Sequence, residues 1–217
     1  MPPIENVMAV LVAGFFLSVT PGPSMLYVLS HSVGQSRAAG LASAVGLALG
    51  GMLLAVATAL GLAKLFEEVP SVVIILRYLG SAYLVWLGLN MIRNAHREAQ
   101  TSFTAQKVAQ KPISSIVWQG VVVELLNPKT VLFFALFLPP FVYAGAGPEG
   151  VSDVRLQLLV LGVLVPLTAI PSDLMIAILG GAVTRTINQR RRFRERLAWT
   201  GGLILIMIAV NLHIGLI

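Results

Sequence analysis

The sequence predicts an all-α integral membrane protein, with six transmembrane helices arranged as two inverted three-helix repeats and helices 1 and 4 broken at proline motifs. Three observations carry this prediction. Apolar residues make up 57% of the 217 and charged ones only 11%, with mean hydropathy +0.87, more hydrocarbon than a soluble domain can hide. The apolar residues fall into six blocks, each long enough to cross roughly 30 Å of hydrocarbon at about 1.5 Å per helical residue. Two of those blocks carry proline breaks at matching depth.

The first block, 7–30, has the acidic Glu5 and no Lys or Arg ahead of it, and it contains Thr20-Pro21-Gly22-Pro23. It reads as a broken span rather than a cleaved signal peptide. The second, 39–63, repeats small residues at Ala42, Gly46 and Gly50, a spacing that suits close helix packing or pairing of two copies. Gly80 and Gly88 do the same in the third, 69–92, where Arg77 lies near one end and its long stem can snorkel to the surface. The fourth, 115–143, is interrupted at Asn127-Pro128-Lys129. In the fifth, 156–182, the run Leu156–Leu161 is apolar without the alternation of a barrel strand, and Pro166 and Pro171 mark a third irregular segment ahead of Asp173. The sixth, 197–216, follows the basic cluster Arg190–Arg196.

Charge sets the orientation. The loops between blocks 1 and 2, 3 and 4, and 5 and 6 hold eleven of the fifteen basic residues: Arg37; Arg93, Arg97, Lys107 and Lys111; Arg185, Arg190, Arg191, Arg192, Arg194 and Arg196. The opposite side has only Lys64 and Arg155. The basic side is expected in the cytoplasm against anionic lipid, with both termini outside, and the net charge of +6 then needs no nucleic-acid partner.

The polar stretch Arg93–Lys111 separates the halves, so the chain reads as a single transmembrane domain: repeat 1 over 1–92, a cytoplasmic linker over 93–114, repeat 2 over 115–217. Three helices per half, an odd number, insert the halves in opposite orientations. Leu76, Tyr78, Gly80, Leu84 and Asn90 align with Leu197, Trp199, Gly201, Leu205 and Asn211. Proline removes an amide donor and clashes with the carbonyl one turn back, so helices 1 and 4 should unwind locally. Unwound backbone at membrane depth is tolerated where it lines a cavity, which is how discontinuous helices build substrate sites in transporters. Thr20, Pro21, Gly22, Pro23, Asn127, Pro128 and Lys129 are therefore the candidate substrate and transport residues.

Four ionisable residues fall within spans: Arg77, Glu124, Lys129 and Asp173. A charge at a helix centre costs about 2.5 to 3.5 kcal/mol on insertion scales, so such groups face a wet cavity, pair, or bind cargo. Glu124 precedes Asn127 by one helical turn, which points both at the break. Glu124 and Asp173 are the candidates for proton coupling, and Asp173 could also hold an α-amino group. Lys129 suits either a substrate carboxylate or an ion pair with Glu124 or Asp173. Trp86, Trp118, Tyr143 and Trp199 read as interfacial anchors, while His31 in a loop mouth, His96 in the linker and His213 at the C-terminal end lack metal-site spacing.

The segment Thr20-Pro21-Gly22-Pro23 with Met25-Leu26-Tyr27-Val28, then Gly80, Tyr83, Leu84 and Gly88, then Asn127-Pro128-Lys129 with Leu132-Phe133-Phe134, Leu138-Pro139 and Phe141-Val142, resembles the lysine exporter and homoserine/threonine exporter (LysE/RhtB) family over nearly the whole chain. That resemblance implies a bacterial cytoplasmic-membrane exporter of amino acids or their derivatives, driven by proton exchange. Ser24, Leu54 and Pro140 stand where many relatives carry more polar groups, which favours a neutral cargo such as threonine or homoserine over a strongly cationic one. No nucleotide-binding loop and no cofactor motif is present, and without Cys or an intramembrane His an enzyme has few options beyond Thr20 or Ser24 beside a carboxylate. The competing readings are a metal or inorganic ion exporter, short of ligands with two carboxylates in the spans, and a membrane protein without transport activity.

Overall fold

The computed structural model describes residues 2–20, 22–68, 71–100, 108–142, 146–147, 150–151 and 153–214. Pro21, Lys107 and Tyr143, and the side chains of Lys64, Arg77, Arg185 and His213, lie outside the described part. The described chain is almost wholly helical: α1 (Ile4–Val19), α2 (Pro23–Gly34), α3 (Arg37–Glu68), α4 (Ser71–Gln100), α5 (Ile113–Leu125), α6 (Pro128–Leu132), α7 (Val154–Gln189) and α8 (Arg191–Ile214). A π-turn over Phe133–Phe137 and a 3-10 turn over Pro139–Phe141 continue α6. Two-residue strands pair antiparallel, Ala146 opposite Val151, before α7.

Proline chemistry explains where the chain bends. A residue that precedes proline is pushed out of the helical region, and Thr20 (φ −75°, ψ 125°), Gly22 (φ −164°, ψ −177°) and Asn127 (φ −72°, ψ 108°) are all extended. Pro23 and Pro128 then occupy the first turn of the next helix, where no amide donor is needed. The α1–α2 pair bends by 52° and the pair formed by α5 and the helical stretch Pro128–Phe141 by 48°. Arg37–Leu62, Ile74–Arg97 and Val154–Gly180 are long and apolar enough to cross a membrane singly, and each bent pair qualifies as one further span. The chain is a multi-pass membrane protein; large apolar side chains such as Leu53, Leu60, Trp86, Trp118 and Met207 lie exposed on its helices, as lipid contact requires.

Three expectations change. Pro166 and Pro171 do not interrupt the fifth block, because α7 runs through both without a break. The hydroxyls of Thr168 and Ser172 donate to the Val165 and Ala169 carbonyls at 2.7 and 2.9 Å, adding hydrogen bonds in the turns where the prolines remove donors. The first residues of the expected linker, Arg93–Gln100, are the last turns of α4. His31 is not in a loop mouth but in the last turn of α2, and it is buried.

The packing order places the breaks centrally. α3 lies against α5 and α7, α1 against α7, α2 against α3 and α7, and α4 against α8. The Ala42, Gly46 and Gly50 stripe is consumed inside the chain: a Cβ on Gly50 would sit 2.7 Å from Glu124 Cβ and 2.9 Å from the Val121 carbonyl of α5. Small residues here allow the close backbone approach that aligns α5 against α3. Phe133 and Phe137 stack at 4.1 Å between centroids and Phe137 meets Phe141 at 4.7 Å, a fully buried column beside Leu84, Leu158 and Leu205 that fixes the segment after the second break.

Candidate functional site

Both breaks open on one cavity of about 60 Å³. Its polar wall carries Thr20, Gly22, Ser24, Glu124, Asn127, Lys129, Thr130 and Asp173, and its apolar wall includes Leu17, Met25, Phe134 and Val165. Six sequence-predicted positions thus converge: Thr20, Gly22, Glu124, Asn127, Lys129 and Asp173. Pro23 and Pro128 are exposed and absent from this lining; they shape the backbone as first-turn residues instead.

The two halves are joined across the cavity by side chains about a hundred positions apart. Ser24 Oγ donates to Glu124 Oε2 and accepts from Asn127 Nδ2 at 2.8 Å. Thr130 Oγ1 donates to the other carboxylate oxygen, Glu124 Oε1, at 2.8 Å. Asn127 is 4% exposed and Thr130 6%, so these bonds satisfy polar side chains that are almost wholly withdrawn from bulk solvent. Asn127 also caps α6, its Oδ1 accepting from the Lys129 amide at 3.1 Å.

Lys129 reaches back to the first break. Its ammonium donates to the Leu17 carbonyl and, at 2.9 Å, to the Thr20 carbonyl, two groups that the end of α1 leaves without helical donors. A cation at a helix C-terminus is also favoured by the helix dipole. The Thr20 hydroxyl turns back onto the Phe16 carbonyl and so finishes the same helix end. By contrast, α2 begins at Gly22 with no side-chain cap, so its first amides face the break with the positive end of the helix. Asp173 reaches the cavity from the continuous helix α7. Among the described residues, no three His, Cys, Asp or Glu side chains gather as a metal site.

Sequence reasoning missed Thr130, and it named Ser24 only as a hydroxyl that could lie beside a carboxylate, not among the transport residues. Ser24 was expected to deplete the cavity of polarity, yet it is the hydroxyl that joins Glu124 to Asn127. The available signal was positional, since each hydroxyl lies in the first turn after a break. The other two departures lie elsewhere: Leu54 packs on the main core, and Pro140 sits against Gly80.

A second, wider space lies on the side of the basic loops. This vestibule of about 760 Å³ runs between α2 and α5 and meets the inner cavity at Gly22, which lines both.

Comparison with known proteins adds the family. The model described as LysE type translocator matches residues 15–215. An uncharacterized membrane protein of Pseudomonas aeruginosa is 36% identical over 145 residues, 66% of this chain and 67% of its own. A leucine efflux protein of Enterobacter sp. (strain 638) is 28% identical over 209 residues, 96% of this chain and 95% of its own. A leucine efflux protein of Klebsiella pneumoniae is 30% identical over 157 residues, 71% of this chain and 72% of its own. No solved structure matches.

Proposed function

The chain belongs to the LysE type translocator family, whose members are transporters and not enzymes, and from that premise we propose that it exports a neutral amino acid from the bacterial cytoplasm in exchange for protons. The observation that carries this reading is the single cavity in which both helix breaks, two carboxylates, an ammonium and an uncapped helix start face one another. Such a set suits a zwitterion. The cargo carboxylate meets the first amides of α2, its ammonium meets Glu124 or Asp173, and its side chain lies against Leu17, Met25 and Phe134. Relatives named leucine efflux proteins favour an apolar neutral cargo, with threonine and homoserine as the smaller alternatives.

The cavity's 60 Å³ is far below the roughly 300–1,000 Å³ of pockets that hold small molecules, so cargo enters only when the halves move apart. The helix pairing supports rocking of two inverted three-helix repeats. Counting each bent pair as one span, with α8 as the sixth, spans 2 and 5 pack on each other, spans 3 and 6 do the same, and the pairs 1·5 and 4·2 exchange under a two-fold axis. Glu124 and Asp173 take a proton as the emptied site returns, and the proton leaves as cargo binds. Ser24 beside Glu124 has the spacing of a nucleophile and base, but its hydroxyl also accepts from Asn127, and its work in this reading is to hold the halves together. The basic loops face the cytoplasm and both termini face outward.

Cells loaded with amino acids from dipeptides provide the test. Expression is expected to accelerate loss of particular neutral amino acids, and Glu124→Gln to slow it. Loss unchanged across the panel would overturn export of amino acids.

A further inference from the structure

The vestibule between α2 and α5 has the makings of a site of its own. Its volume, about 760 Å³, lies within the range of small-molecule pockets, unlike the inner cavity. Leu26 and Tyr27 give it an apolar wall, and Lys111 and Gln119 give it a polar one. Lys111 is held in place: its amide donates to Gln35 Oε1 at 3.2 Å and its carbonyl accepts from Gln35 Nε2 at 2.8 Å. Its ammonium spends one donor on Gln119 Oε1 at 2.8 Å, and an ammonium has three.

His31 lines the same space and supplies an independent sign. It is 3% exposed, and its Nε2 is buried without a hydrogen-bond partner among the described residues. Buried polar atoms are nearly always satisfied, so an exception asks for a ligand or water. The ring is fixed from the other side, where Nδ1 lies 3.0 Å from the Tyr27 carbonyl and must donate to it. Nε2 is then the acceptor of the neutral ring.

We propose that this vestibule is a loading site for the zwitterionic cargo, in which Lys111 takes the carboxylate and His31 Nε2 accepts from the ammonium end before the molecule passes Gly22 into the inner cavity. The inference rests on the export reading above and adds to it a second site, on the basic side only. A charge-assisted hydrogen bond to the carboxylate is worth enough that losing it should raise the half-saturating concentration about tenfold.

The test is initial transport of labelled leucine in inside-out and right-side-out vesicles carrying the full chain. Lys111→Gln is expected to raise KM about tenfold at the basic face, with maximal rate little changed and KM at the opposite face unchanged, and Lys111→Arg to restore it. Leucinamide, which lacks the carboxylate, should compete with leucine as well in Lys111→Gln as in the unmodified protein. For His31→Phe, the amine-free acid 4-methylpentanoate should become a relatively better competitor. Unchanged KM at the basic face, or an equal rise at both faces, would overturn the site. An effect confined to vesicles of anionic lipid would assign Lys111 to headgroups and also overturn it. If the unmodified protein moves no amino acid of a wider panel, the export reading falls first and this site with it.

Discussion

Replacing Ser24 by alanine isolates the bridge between the two halves without changing any charge. The hydroxyl donates to Glu124 Oε2 and accepts from Asn127 Nδ2, so the substitution deletes one bond to a carboxylate and one to an amide. Bonds to charged groups are worth about 1.5–3 kcal/mol and neutral ones about 0.5–1.5 kcal/mol. Ser24 is itself half-buried, so the lower end applies, about 2 kcal/mol, or roughly a 30-fold shift in the unfolding constant. Ser24→Thr, which keeps the hydroxyl, should lose much less. Reversible unfolding in dodecyl maltoside micelles titrated with SDS reads the difference, and a double-mutant cycle with Asn127→Ala should give a coupling near 1 kcal/mol, within the range of about 0.5–3 kcal/mol for groups in contact. A Ser24→Ala protein within about 0.5 kcal/mol of the parent, with coupling below that figure, would refute the bridge as a link between the halves.

Lys129→Met removes two charge-assisted hydrogen bonds from the end of α1, and should lower stability by about 2 kcal/mol or more and speed amide exchange over residues 17–20, with Lys129→Arg recovering part of the loss. Gly50→Val drives a side chain into Glu124 Cβ and the Val121 carbonyl and should cost about 1–3 kcal/mol, read in the same unfolding titration, with Gly50→Ala less damaging. Gly22→Val is a different case. The backbone there is extended and accepts any residue, and a Cβ would rest at 3.8 Å from Lys129 Cδ, so stability should stay within about 0.5 kcal/mol while efflux slows because the junction of vestibule and cavity narrows.

What the sequence made legible was whatever proline decides locally. Thr20, Gly22 and Asn127 each precede a proline and each is extended, so the sequence alone places both breaks. The same rule misled at Pro166 and Pro171: α7 continues through both while packed on α3, where a Cβ on Gly51 would lie 2.9 Å from Pro166 Cβ. Two partners of Lys129 were illegible because they are carbonyls at Leu17 and Thr20, and backbone acceptors leave no mark on the sequence. Which carboxylate Ser24 meets was illegible because Glu124 lies a hundred residues on and in the other half. The burial of His31 followed from α2 continuing to Gly34, which the polar run Ser30-His31-Ser32 disguised.

The charge inventory of the inner cavity bears on what powers it. Lys129, Glu124 and Asp173 face the same space, so with all three ionised it holds one net negative charge, and with one proton bound it holds none. A zwitterionic cargo alters neither sum. If the halves swing past this site, the outward stroke carries a negative charge away from a negative interior, while the protonated return is electrically silent. Each elementary charge moved through 100 mV is worth about 2.3 kcal/mol. Export by such a cycle is electrogenic and would draw on the membrane voltage even where no pH difference exists.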